Sequence, residues 1–172
     1  MLSNPVIDAI LARRSTRAFT AEPVAREQLE AIVACGQWAP SGMNRQELTF
    51  AVLSDGEQVA RLAAALEPLL DRGSYDMYGA QAAVLVAVPA GYPYDRQDDS
   101  CALENMFLAA TSLGLGSCWI NQLNGLCDEP SVRMLLGEYG IPADHQVHGI
   151  CALGHIARET SAKPRKSTVI WV

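Results

Sequence analysis

Ala82–Val88 reads "AAVLVAV", seven apolar residues with no polar one among them. A strand with one wet face alternates apolar and polar residues. An unbroken run marks a strand covered on both faces. That strand sets the architecture, because each of its faces needs a layer of helices. The flanking sequence offers them. Upstream, Ser54-x-x-Glu57 reads as a capping box opening a helix through about Leu70, and "ELTFAVLS" (47–54) reads as a strand. Downstream, the loop "PAGYPYDRQDDS" leads to a helix over about 99–113. Its Ala102, Leu103, Met106, Phe107, Ala109 and Ala110 surround most of the circumference. Such a helix lies inside the domain or at a subunit contact.

Gly114 stops that helix, and "SCWIN" (117–121) follows as a short strand. Asp128–Glu138 reads as a helix with Pro130 in its first turn, and "QVHGICALG" (146–154) as another strand. At the amino end, Asn4 caps a helix that starts at Pro5, carries Ile7, Ile10 and Leu11 as a stripe, and ends near Arg13. A second helix, about 25–38, presents Leu29, Ile32 and Val33 before "APSGMNRQ" breaks it. Strands and helices alternate without repeat or linker. The sequence predicts one domain, 1–172, an α/β or α+β sandwich around a central sheet.

The chain has 172 residues, 49% of them hydrophobic, enough for a substantial core. No run of about 18 apolar residues predicts a membrane span. Five scattered cysteines form no disulfide framework, which predicts a reducing, cytoplasmic setting. A net charge of −6 argues against nucleic acid as a partner. The basic residues are nonetheless clustered. Arg13, Arg14 and Arg17 stand in "RRSTRAF", with no acid between Asp8 and Glu22; Lys163, Arg165 and Lys166 follow the last acid, Glu159. Two positive patches on a negative protein point to a small anionic ligand. The plain alternative for Arg13 and Arg14 is to cover the last carbonyls of the first helix.

Other chemistries fit less well. His145, His148, Cys151 and His155 suit zinc by type. In a strand, however, His148 and Cys151 face opposite ways, and Cys151 and His155 stand about 13 Å apart at about 3.3 Å per residue. No metal site is expected. Cys118 has no visible activating partner and reads as a small buried residue. Neither a G-x-S-x-G elbow nor a G-x-G-x-x-G fingerprint is present.

Taken together, "RRSTRAF", "APSGMNRQ", "ALENMFLAATSLGLGSCWI" and "LGHIARETSAKPRK" resemble, in order and spacing, the landmarks of the FMN-dependent nitroreductases in their compact form. The resemblance covers most of the chain. It implies an α+β sandwich whose central sheet is mixed but mostly antiparallel, flanked by helices. It also implies a homodimer in which the carboxy-terminal strand, "STVIWV", is swapped onto the partner. Arg13, Arg14, Ser15 and Arg17 would hold the FMN phosphate and ribityl chain, and Lys163 and Arg165 would complete the cradle. A phosphate monoester carries nearly two charges, and charge-assisted contacts to arginine are short and strong. Pro40, Ser41, Asn44 and Gln46 would reach the flavin of the other subunit. Cys118, Trp119, Ile120 and Asn121 would lie along the ring, with the backbone of Ile120 and Asn121 near N5. No side chain is expected to be catalytic.

The resemblance further implies a ping-pong oxidoreductase, passing hydride from NADH or NADPH to the flavin and on to a small-molecule acceptor such as a nitroaromatic or quinone. Asn121 and Gln122 stand where many relatives carry glycines, and "NRQEL" lacks the Pro-Trp that often follows the glutamine. Those departures bear on pocket size. They also keep a non-catalytic flavin-storage or redox-sensing protein open as an alternative, next to a metal-binding regulator using His145, His148 and Cys151.

Overall fold

The computed structural model describes residues 2–172. Its elements run α1 Pro5–Ala12, α2 Arg26–Gln37, β1 Thr49–Leu53, α3 Gly56–Leu66, β2 Ala82–Pro89, α4 Asp95–Ser112, β3 Gly116–Ile120, α5 Pro130–Glu138 and β4 His145–Gly154. The strands form one antiparallel sheet in the order β1-β2-β4-β3. The one parallel pairing is an isolated bridge between Ser15 and Ser117.

β2 is the middle of the molecule, as its unbroken apolar run predicts: every residue from Ala82 to Val88 is 0% exposed. Ala83, Leu85 and Ala87 face a core shared with α3 and α5, while Ala82, Val84 and Val86 face one shared with α2 and α4. Opposite parities feeding two cores give three layers. β4 contributes to both, with a bulge at His148: Val86 pairs with Gly149 but Ala87 with Val147. Strict alternation therefore fails at this point, and Val147 and Ile150, three residues apart, enter the same core.

Four local expectations need correction. The cap of α3 sits one residue later than predicted: the Asp55 carboxylate accepts from Gln58 N at 2.9 Å, and Gln58 Oε1 accepts from Ser54 N at 3.0 Å. Asp55 is thus the N-cap, while the Gln58 side chain reaches past it to the N–H of Ser54, so the two bonds do not close on one cap residue as a capping box does. That helix closes at Leu66, because Pro68 falls in a following 3-10 turn over Glu67–Leu69 and has no N–H for the α-helical ladder. α4 starts at Asp95, four residues before the predicted start; Asp95 and Asp98 in its first turn suit the positive end of the helix dipole. Finally, no residue of α1 is buried, and Val6, Ile10 and Leu11 are at least half exposed. Of the predicted stripe, Ile7 is partly covered while Ile10 and Leu11 lie exposed among the described residues.

Beyond β4 the chain touches the "RRSTRAF" segment and then runs out without regular structure. Val169, Ile170, Trp171 and Val172 are exposed. "STVIWV" is not a strand within its own chain.

Candidate functional site

The "RRSTR" segment is laid against β3 by backbone hydrogen bonding. Thr16 N donates to Ser117 O at 2.8 Å, and the chain continues as a pairing of Phe19 with Ile156, with Thr20 N donating to His155 O at 2.9 Å and Ala157 N to Ala18 O at 3.0 Å. Thr16 is buried at this seam. Since side chains alternate along extended backbone, Ser15 and Arg17 are turned outward. The close approach explains Gly116: a Cβ there would stand 2.6 Å from Thr16 Oγ1 and 2.8 Å from its Cγ2.

The arginines divide in use. Arg14 Nη1 donates to Leu11 O and Arg13 O, both at 2.8 Å, so Arg14 is the helix cover that the plain reading allowed. Arg13 has one distant acid, Glu104, at 3.8 Å. Arg17 has no carboxylate within ion-pair distance among the described residues; its guanidinium lies 5.9 Å from the Tyr78 ring centroid. Both Arg13 and Arg17 act on Cys118, lowering a thiol that burial pushes up more strongly, so its net shift is upward. Cys118 stays a protonated core residue, 3% exposed. Its side chain, like that of the buried Ile120, belongs to the core, so any contact of these two residues with a ligand would be through backbone. Only their backbone is available.

At the end of β3, the expected Trp119 and Asn121 are joined by Asp99, Tyr75 and Tyr78, which the sequence did not announce. Trp119 is half exposed, and its Nε1, Leu103 Cδ1 and Asp99 Oδ2 all converge on Gly149, where a Cβ would come within 2.4–3.1 Å of them. Burial pushes the Asp99 carboxyl up to about 7, with the Asp95 charge adding and the Gly149 N–H opposing. Its Oδ1 is buried without a partner, as is Ser117 Oγ. Next along, Asn121 N donates to Gln122 Oε1 at 3.1 Å, and that same oxygen accepts from Tyr75 OH at 3.4 Å. Tyr75 and Tyr78 come from a loop in which Met77 and Tyr78 hold φ of 50° and 62°. Left-handed backbone at non-glycine residues costs on the order of 1–3 kcal/mol and gathers at functional sites. No local motif signals it.

Other expected residues lie apart. The "PSGMNRQ" turn is tied to the start of α4: Gly42 N donates to Asp98 Oδ1 at 2.9 Å, and the single proton of Tyr92 OH is shared between Asp98 Oδ2 at 2.8 Å and Gly42 O at 3.0 Å. Ser41 Oγ accepts from Gln46 N at 3.1 Å, and Gln46 Nε2 donates to Asn44 Oδ1 at 2.8 Å. Pro40, Asn44 and Gln46 are exposed. Met43, Asn44 and Gln46 are left-handed, with φ of 53–55°. Lys163 and Arg165 are exposed, and the tail's nearest tie to the site is Thr160 Oγ1 donating to Ser15 O at 3.3 Å.

The residues weighed for metal are occupied elsewhere. His148 bridges Asp95 Oδ2 at 3.0 Å and Asn124 Oδ1 at 3.1 Å, His145 pairs with Asp144, and Cys151 is buried. Among the described residues, no three His, Cys, Asp or Glu side chains gather as a metal site would need.

The chain thus has two cationic side chains and a hydroxyl beside the end of β3. Known proteins share this chain's sequence and fold. An FMN reductase [NAD(P)H] of Bacillus subtilis is 31% identical, with the match covering 94% of this chain and 70% of that one. An NADPH-flavin oxidoreductase of Vibrio harveyi is 30% identical over the same shares. The crystal structure of a nitroreductase with bound FMN from Bacteroides fragilis superposes with a TM-score of 0.85 at 36% identity, covering 98% of this chain and all of that one. The sequence profile of the Nitroreductase family matches residues 10–155, and the chain belongs to that family.

Proposed function

We propose that the chain, as a single FMN-binding domain over 1–172, is an oxidoreductase working as a homodimer in a reducing cytoplasm. The observation that carries this is the outward presentation of Arg13, Ser15 and Arg17 on a backbone fixed to β3, with Arg17 unpaired among the described residues. That donor set fits a phosphate monoester: guanidiniums supply forked, charged donors, and the hydroxyl supplies one more. Bound FMN would supply the redox chemistry, taking hydride from NADH or NADPH and returning it, in ping-pong order, to a nitroaromatic, a quinone or a similar acceptor. The protein's share is position and exclusion of water. Arg13 and Arg17 anchor, Lys163 and Arg165 fold in from the tail, and the backbone of Ile120 and Asn121 meets the ring.

Several features support a second copy. α1 leaves Val6, Ile10 and Leu11 exposed, and a groove of about 380 Å³ runs between Val6, Ala9, Trp38, Leu108 and Ala109. β1 is an edge strand, flanked by a groove of about 550 Å³ between Val33 and Val52. An open edge invites another strand, and the exposed "STVIWV" of a partner has the length and apolar character for it. The Ser41–Gln46 turn, tied to the start of α4, would act on the partner's flavin. All five cysteines are free, as a reducing compartment requires, and no helix among the described residues could cross a membrane.

An absorption spectrum tests the reading. Purified protein should carry a flavin band that NADH or NADPH bleaches and a quinone restores. Colourless protein that ignores added FMN would remove it. The hydrogen bond from Asn121 N to Gln122 favours a second reading, a flavin carrier without turnover. A bound band that neither nucleotide bleaches would support that instead.

A further inference from the structure

The amide of Asn121 is a single donor, and a side chain of this chain already claims it. A backbone N–H makes one good hydrogen bond at a time. Here the acceptor is Gln122 Oε1, at 3.1 Å. The oxygen is itself held from the far side by Tyr75 OH at 3.4 Å. Tyr75 is 8% exposed and carries the Arg72 guanidinium 5.3 Å above its ring, so its hydroxyl is a fixed point. Burial also pushes its pKa well above the ordinary tyrosine range, keeping the hydroxyl protonated and able to donate. Gln122 is by contrast only half-buried, at the first position of the turn after β3, on three rotatable torsions. One partner is rigid and the other is free to leave.

We propose that Gln122 competes with the flavin ring for the Asn121 amide, so that its carboxamide, braced by Tyr75, sets how tightly flavin is held. The inference rests on the reading that flavin docks along Ile120–Asn121. A docking ring that takes the amide must displace an acceptor already satisfied at two points. The net worth of a neutral hydrogen bond, about 0.5–1.5 kcal/mol, is then subtracted from affinity. Gln122 is a positioning residue in this role, since it acts through the amide and not on substrate.

The test is a titration of flavin-stripped protein with FMN, and in parallel with riboflavin, followed by quenching of flavin fluorescence. Gln122→Ala should bind both about 3- to 10-fold more tightly than wild type, from the hydrogen-bond worth above. Tyr75→Phe should move the same way by about twofold, because it removes only the brace. Gln122→Glu should bind both several-fold more weakly above its carboxylate range, since an ionised acceptor holds an amide more firmly. Riboflavin lacks the phosphate, so an equal loss for both ligands excludes simple charge repulsion. Exchange of the Asn121 amide, read by NMR, should be faster in flavin-free Gln122→Ala than in wild type and equally slow in the two once FMN is bound. Opposite shifts from Ala and Glu would not follow from a merely structural glutamine. Wild type that binds FMN while Gln122→Ala binds it equally or more weakly overturns the competition alone. Wild type that binds neither ligand overturns the flavin reading and this inference with it.

Discussion

Two cationic segments, one near each end of the chain, carry the same number of positive charges and are embedded in opposite ways. Arg13–Arg17 lies on a backbone bonded to Ser117 and continued by the Phe19–Ile156 pairing. Lys163–Lys166 lies in an exposed tail whose nearest tie is the bond from Thr160 to Ser15. The first segment is also divided internally, since Arg14 is consumed by the carbonyls of α1 while Arg17 stays unpaired among the described residues. Charge alone therefore says little about readiness to bind. A donor on fixed backbone forfeits mainly its side-chain freedom on binding, up to about 2 kcal/mol, whereas a donor on a loose tail forfeits backbone freedom too, about 1–2 kcal/mol per residue ordered. On the proposed reading, the first cluster is already in place to receive a phosphate. The second has to be folded onto it.

The contrast breaks most directly at Gly116. Its alanine variant would drive a methyl into Thr16, with contacts of 2.6 and 2.8 Å, and into Ile156 at 2.9 Å. Thr16 is β-branched and buried, so it cannot swing clear. Gly116→Ala should cost about 1–3 kcal/mol in a denaturant titration and should lose FMN, because the seam opens. A variant with wild-type midpoint and full colour would show that the seam does not fix the arginines. The next effect separates the clusters without touching the fold. Arg17→Ala should weaken FMN by about 1.5–3 kcal/mol, the worth of a charged hydrogen bond, and leave riboflavin binding unchanged. Arg165→Ala should cost less, about 0.5–1 kcal/mol, once the ordering of the tail is set against its contact. Equal losses would erase the distinction.

What could be read beforehand follows the same division. The layers were legible because β2 buries both faces, and a doubly buried strand leaves a pattern no other element shares. The cap and Pro of α1 were legible because they are local chemistry: Asn4 Oδ1 accepts from Val6 N at 3.0 Å and from Ile7 N at 2.9 Å. The start of α4 was missed because "YDRQDD" is polar, and polarity by itself does not distinguish a loop from an acidic first turn. Tyr75, Tyr78 and Asp99 were missed because their relevance is made by distant pairing. Asp99 matters only where α4 crosses Gly149, and Tyr75 only where its loop meets Gln122. The bulge at His148 was invisible too, since an extra residue shows only against its partner strand. Arg14 and Arg17 look alike in sequence, and alternation along a seam tells them apart.

The smallest effect sharpens the comparison without changing either cluster's position. Screening length falls from about 10 Å at 0.1 M salt to about 3 Å at 1 M. An exposed cation on a loose tail contributes mainly through the long-range field and so loses most of its effect over that range. A cation in contact with its phosphate, on fixed backbone, is screened far less. The affinities of wild type and Arg165→Ala for FMN should therefore converge, within about twofold, as salt is raised toward 1 M. The gap between wild type and Arg17→Ala should shrink but persist. If the Arg165→Ala gap persisted as well, the tail would have to be making a close, ordered contact with the phosphate. The chain alone provides no scaffold for such a contact, because beyond Ala157 the tail has no backbone hydrogen bond to the sheet. The ordering would then have to come from the second copy proposed above, and dilution to monomer should abolish the Arg165 contribution while sparing that of Arg17.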